Sequence, residues 1–233
     1  MDEITLHSKT RRREFLTNVA AGAAALGLGS LASLNAQAGE QSDNQIYADA
    51  DEWFSKVKGK HKIVFDVPDP NGIFPFAWPR IFLVTNEKTG TPAKDCGVVV
   101  VLRHSAIGYA MENRLWEKYK FGEFFKAEDP KTKAPSVRNP FWQPKADDFT
   151  VPGFGPIPIG INDLQASGVM FCVCDAALTV YSAVAAQGLG QDAAAVKQDW
   201  VSGLLPGIQP VPSGVWAVGR AQEKGCGYCF AGG

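Results

Sequence analysis

An excess of charge of either sign is missing: 23 Lys and Arg stand against 24 Asp and Glu, a formal net charge of −1. That balance offers no basic surface for nucleic acid. Histidine and cysteine are scarce, at three and five residues. Five cysteines exclude a disulfide-dense scaffold, and the odd number leaves at least one free, metal-bound or intermolecular. Beyond the N-terminal segment no stretch is apolar enough to predict a membrane-spanning helix. Phosphate motifs are missing as well: neither a Walker loop nor a Gly-x-Gly-x-x-Gly follows a strand-like run. With His7 in the N-terminal segment, only His61 and His104 remain, too few to assign a Ser-His-Asp arrangement. What is present is ordinary globular composition, 45% hydrophobic and 20% charged, which excludes disordered, collagen-like and coiled-coil classes.

The N-terminus reads as an export signal. Arg11-Arg12-Arg13 is followed by Phe15-Leu16, an apolar Ala/Gly/Leu stretch over 19–34, and Ala36-Gln37-Ala38. A basic head, a weakly hydrophobic core and a small-x-small site are the parts of a signal peptide. Arg12-Arg13-x-Phe-Leu resembles the twin-arginine motif; the alternative is a basic patch beside a short membrane anchor. The resemblance implies passage through the twin-arginine translocase, cleavage after about Ala38 and a periplasmic location. Thiols there meet an oxidising environment, so each must be buried, bridged, ligated or kept reduced.

The remainder predicts one α/β domain over 61–233, preceded by a linker or helix at 39–60. Strand-like runs at 62–67, 97–102, 168–174, 208–211 and 227–230 alternate with helical stretches at 79–88, 110–119, 175–187, 191–201 and 213–223. The alternation predicts a three-layer fold, a mostly parallel sheet of about five strands flanked by helices. Val98-Val99-Val100-Val101-Leu102 is continuous and β-branched, as in a strand buried on both faces. Residues 123–160 interrupt the rhythm with seven prolines and the aromatics Phe124, Phe125, Phe141, Trp142, Phe149 and Phe154. A loop this long is usually functional or disordered, and six aromatics need something to pack on. An ordered cover over one end of the sheet is expected, with a subunit-contact arm as the alternative.

Cys174 sits where a buried strand ends and the next helix opens, the edge at which α/β folds place ligands. A helix N-terminus attracts a thiolate, although Asp175 beside it would repel one. The alternative is a buried structural thiol. His104 follows the second strand at the same edge, where it is able to deprotonate a thiol; Arg103 would attract an anionic sulfur species, or both side chains merely hold the adjoining loop. Cys172 is two residues before Cys174, on the same strand face, with Cα atoms about 6.5–7 Å apart, at the limit for a bridge. Cys226 and Cys229 form a Cys-x-x-Cys, which suits zinc, iron–sulfur or dithiol chemistry. Within a strand, however, that spacing sends the thiols to opposite faces. A four-thiolate site of Cys172, Cys174, Cys226 and Cys229 requires a turn at Gly225 and Gly227. Phe141 and Trp142 are expected to cover a pocket holding Cys174 and His104, so that Trp142, with Arg103, lies against a bound group.

Three segments resemble the DsrE/DsrF-like sulfur-relay family. They are 168–178, with its strand ending in a cysteine that opens a helix; Val211-Pro212-Ser213-Gly214-Val215 with Arg220-Ala221-Gln222-Glu223-Lys224-Gly225; and Leu102-Arg103-His104 through Trp116, Lys118, Tyr119 and Gly122. The last resembles an exported branch of the family. The resemblance implies a small α/β homo-oligomer that carries sulfur as a persulfide on Cys174. It implies a sulfur carrier or binding module rather than a turnover enzyme, exchanging with a donor or acceptor protein or a small sulfur compound. Two other classes stay open: a periplasmic metal-binding or assembly protein using the two cysteine pairs, and a structural homo-oligomer without chemistry.

Overall fold

The computed structural model describes residues 49–153 and 155–232; the expected signal peptide and its cleavage site lie outside them. The described chain begins in a helix at 49–55, α1. The expected α/β architecture is present, with β1 (His61–Val67), β2 (Cys96–Leu102), β5 (Met170–Cys174), β6 (Ile208–Val211) and β7 (Gly227–Phe230) in one sheet. The strand order is β6-β5-β2-β1-β7 and every pairing is parallel.

That order follows from right-handed crossovers. Steps from β1 to β2, β5 and β6 all move one way, so the intervening segments lie on one face. These include α2 (Phe74–Lys88), α3 (Asn113–Tyr119), α4 (Phe121–Phe124), α5 (Ile161–Ala166), α6 (Asp175–Leu189) and α7 (Ala193–Ser202). The return from β6 to β7 crosses three strands and puts α8 (Gly214–Glu223) on the other face, beside α1. Two buried clusters mirror this division. Phe65, Val98, Val100, Phe171 and Val173 pack with Phe76 and Leu178 on the first face. Val64, Val99, Val101 and Cys172 pack with Phe54, Ala217 and Ala221 on the second. All seven residues of β2 are buried, as expected of the central strand. No helix among the described residues is long and apolar enough to cross a membrane.

Two expectations shift. Helix α2 starts at Phe74 rather than at Pro79, because Pro75 fills the first turn and Pro79 sits inside the helix, where only the N–H that would reach residue 75 is lost. The helix expected over 110–119 is divided: a 3₁₀ segment covers His104–Ala110, Met111 bridges Leu204, and α3 begins at Asn113. The described residues of the long segment, 123–153 and 155–160, hold a small antiparallel pair, β3 (Thr150–Val151) with β4 (Gly155–Pro156), and the buried Asn139. Asn139 is fully buried, donating to the carbonyls of Tyr109 and Met111 at 2.9 Å each while its Oδ1 accepts from Phe141 N–H. Helix α5 has too few residues to show a helical period and was not expected.

Helices α3 and α7 are clamped through Asp199, which accepts from Arg114 (2.5 Å), Lys118 (2.8 Å) and Tyr119 (2.7 Å). Partial burial pushes the Asp199 carboxyl up, but the hydrogen bonds outweigh it and hold it at about 2, below the ordinary 3.8. A depressed carboxyl contributes stability that is complete above its unfolded value and lost as pH falls toward about 2. With Arg114 and Lys118 half-exposed, the contribution is about 1 kcal/mol. Asp199→Asn is therefore expected to unfold about 1 kcal/mol more easily at neutral pH and to match the unsubstituted protein near pH 2. Urea titrations across that range check it.

Candidate functional site

The carboxyl ends of the strands gather the polar residues. In β1 every residue from Val64 to Val67 is buried, including Asp66 at 4% exposure. A carboxylate there needs partners. Arg103, just past β2, supplies two: Nε donates to Asp66 Oδ1 at 2.6 Å and Nη2 to Oδ2 at 2.9 Å. Tyr228 Oη on β7 adds a third at 2.9 Å. The β1–β2 register aligns Val67 with Leu102, so Arg103 emerges next to the strand that carries Asp66. Its side chain runs across Gly214, where an added Cβ would lie 2.4 Å from Arg103 Cβ.

His104 follows in the left-handed region at φ 48°, a conformation that a non-glycine residue holds only when its surroundings impose it. Its Nδ1 lies 3.0 Å from Asp69 Oδ1, and Ser105 Oγ donates to the same oxygen at 2.6 Å. The His104 bond holds the Asp69 carboxyl below its ordinary value; burial opposes it, and Ser105 adds to the lowering. The Tyr181 ring of α6 meets the His104 ring edge-on at 5.5 Å. Burial, helped by the Asp69 charge, pushes the Tyr181 hydroxyl up to about 12, so it stays protonated.

Cys174 ends β5 and is the N-cap of α6, its Sγ accepting from Ala177 N–H at 3.3 Å. Asp175 does not compete for those amides through its side chain: its carboxylate pairs with Lys197 at 3.0 Å. Leu102 pairs with Val173, so Arg103, His104 and Cys174 leave adjacent strands together. Cys174 is only 6% exposed; the open part of the site is His104 and Asp69, with side chains 38% and 41% exposed.

The structure brings Cys174, His104 and Arg103 to one edge, and it separates the other expected site residues. Cys172 does not share the surroundings of Cys174. It packs with the α1/α8 cluster while Cys174 joins the α2/α6 cluster, because Cys174, the last residue of the strand, turns its sulfur to the Ala177 N–H of the helix it caps. Cys226 and Cys229 stand at and in β7, three strand positions from β5, which is about 14 Å. As the three-residue spacing in a strand predicts, Cys226 belongs to the α1/α8 cluster and Cys229 packs against the opposite one. Among the described residues no three His, Cys, Asp or Glu side chains are grouped to hold a metal ion, and all five cysteines are free thiols. Burial pushes the thiols of Cys96, Cys172, Cys226 and Cys229 up.

Arg103 is committed to Asp66 rather than offered wholly to an anion. Phe141 is a core residue: fully buried, its ring neighbours are Phe76 (4.2 Å), Tyr109 (5.2 Å) and Phe149 (5.1 Å). Trp142 is half-buried against that core, next to Gln143, whose N–H donates to Asn162 of α5. The long segment thus packs these rings into the α2 side. The aromatics that reach the His104 end are Phe124 and Phe125, through Tyr181 at 6.2 and 5.4 Å. Asp66 and Asp69 escaped the sequence reading. Asp66 had a signal, a lone carboxylate in an otherwise apolar strand; Asp69 lay in a Pro-Asp-Pro-Asn-Gly turn and read as punctuation.

No family model matches the chain, and no curated protein matches it.

Proposed function

We propose that this is an exported sulfur-handling protein of the DsrE-like kind, in which Cys174 accepts and passes on a sulfur atom as a persulfide. One observation carries the reading. Of the five cysteines, Cys174 alone stands at a strand's carboxyl end and caps a helix, with a backbone N–H directed at its sulfur. Its sulfur is held as a hydrogen-bond acceptor at the helix N-terminus, and His104, which follows the neighbouring strand, is the candidate base. Cys174 is only 6% exposed, and burial protects a sulfur there from further oxidation. The four-thiolate metal reading finds no support in the spacing of β5 and β7.

The test is mass spectrometry after exposure to hydropolysulfide. The protein is expected to gain the mass of one sulfur atom on the peptide that holds Cys174, and Cys174→Ser to gain none there. If Cys174→Ser takes up the same sulfur as the unsubstituted chain, Cys174 is not the carrier.

A further inference from the structure

Asp69 has no part in the sulfur reading above, yet two donors of one turn converge on it. Ser105 Oγ lies 2.6 Å from Asp69 Oδ1 and His104 Nδ1 lies 3.0 Å from the same oxygen. An ionised carboxylate only accepts hydrogen bonds. Its partner nitrogen, Nδ1, is therefore the donor of that bond. The lowered carboxyl of Asp69 agrees with this arrangement. The ring is held by more than Asp69: the backbone of His104 is fixed at φ 48° and Tyr181 bounds one side.

The nearby charged groups Arg103 and Asp175 are engaged with partners of their own. Arg103 is turned to Asp66, which also holds Tyr228. Asp175 is paired with Lys197. Tyr181 stays protonated with its hydroxyl pushed up to about 12. The 3₁₀ segment that begins at His104 packs on both β5 and α6, and Cys174 is the residue joining those two elements.

We infer that Asp69 is a positioning residue: it fixes the tautomer and direction of His104 so that Nε2 takes the Cys174 proton during attack on a sulfane sulfur. The inference rests on the sulfur-carrier reading and names its substrate class, an organic hydropersulfide or polysulfide. The Cys174 S–H proton moves to Nε2. The thiolate bonds to the terminal sulfur of R–S–SH, the donor's S–S bond breaks, and the departing R–S⁻ takes the proton from His104. The products are R–SH and the Cys174 persulfide, with no external oxidant or reductant.

The experiment compares the full chain with Asp69→Ala, Asp69→Asn and Asp69→Glu. Three readouts are taken: the imidazole nitrogen NMR shifts of His104, the rate of iodoacetamide alkylation at Cys174, and sulfur gain from a small organic hydropersulfide. The unsubstituted protein is expected to show one Nδ1–H tautomer. Asp69→Ala is expected to lose it and to alkylate at least about tenfold more slowly at neutral pH, with partial recovery in Asp69→Glu. Asp69→Asn, which keeps the side chain's size, separates loss of charge from loss of fold. Unchanged tautomer and alkylation rate in Asp69→Ala would overturn the inference, and equal sulfur uptake there would leave the carrier reading standing. If Asp69 governs alkylation as expected but Cys174 gains no sulfur, the carrier reading fails and the positioning role survives.

Discussion

Asp66→Ala is expected to destabilise the protein by about 3 kcal/mol, because it removes the acceptor of a buried charge-assisted cluster and strands its donors. The Asp66 side chain is 5% exposed and accepts from Arg103 Nε, Arg103 Nη2 and Tyr228 Oη. Arg103 is 27% exposed, so water recovers part of its solvation and the loss stays at the lower end for a broken buried pair. Gly214 leaves Arg103 no room to relax toward α8. Tyr228→Phe, which removes one donor, should lose only about 1 kcal/mol. Asp66→Asn keeps an acceptor oxygen and should fall between the two. Urea unfolding midpoints measure all three. A loss below about 1 kcal/mol for Asp66→Ala would mean that the cluster behaves as an exposed ion pair.

The same residue shows where sequence reading stops. The runs around 62–67, 97–102 and 168–174 announced a parallel sheet because buried strands need continuous apolar residues, a local property. The partners of Asp66 lie 37 and 162 residues away, and no local period encodes that distance. His104 and Cys174 were legible because each directly follows or ends a buried strand, and strand ends in a parallel sheet meet at one edge. Asp69 was not, since a turn of Pro68, Asp69, Pro70, Asn71 and Gly72 has a sufficient local explanation in backbone conformation. Cys172 and Cys174 show the opposite error. Strand alternation holds within a strand, and Cys174, its last residue, also serves as the N-cap of the next helix, with its sulfur held by Ala177 N–H. The aromatic segment was legible as ordered, while the core neighbours of Phe141 were not. Its path follows Asn139, whose buried amide bonds two carbonyls on a different segment.

Gly122→Ala, directly before that long segment, is expected to destabilise the protein by about 3 kcal/mol. Gly122 lies buried in α4, and the chain at Pro135 and Ser136 crosses directly over it. A Cβ there would stand 2.2 Å from the Ser136 carbonyl oxygen, 2.3 Å from its nitrogen and 2.8 Å from the Pro135 carbonyl carbon. All three are backbone atoms, so no rotamer change relieves the overlap and the crossing strand must move. That crossing is itself tied, with Ala127 N–H donating to Gly122 O and Ser136 N–H to Ala127 O, both at 2.9 Å. Asn139, three residues on, would be drawn from its carbonyl partners, and Phe141 from its place against Phe76. Gly219 is the comparison: it lies within α8 with no heavy atom inside 4 Å of its built Cβ. Gly219→Ala should instead stabilise by about 0.5–1 kcal/mol, since alanine restricts the unfolded chain and favours helix. Thermal melts of the two variants are expected to move in opposite directions. Equal small shifts would show that the segment over Gly122 yields without loss and does not hold Phe141 in the core.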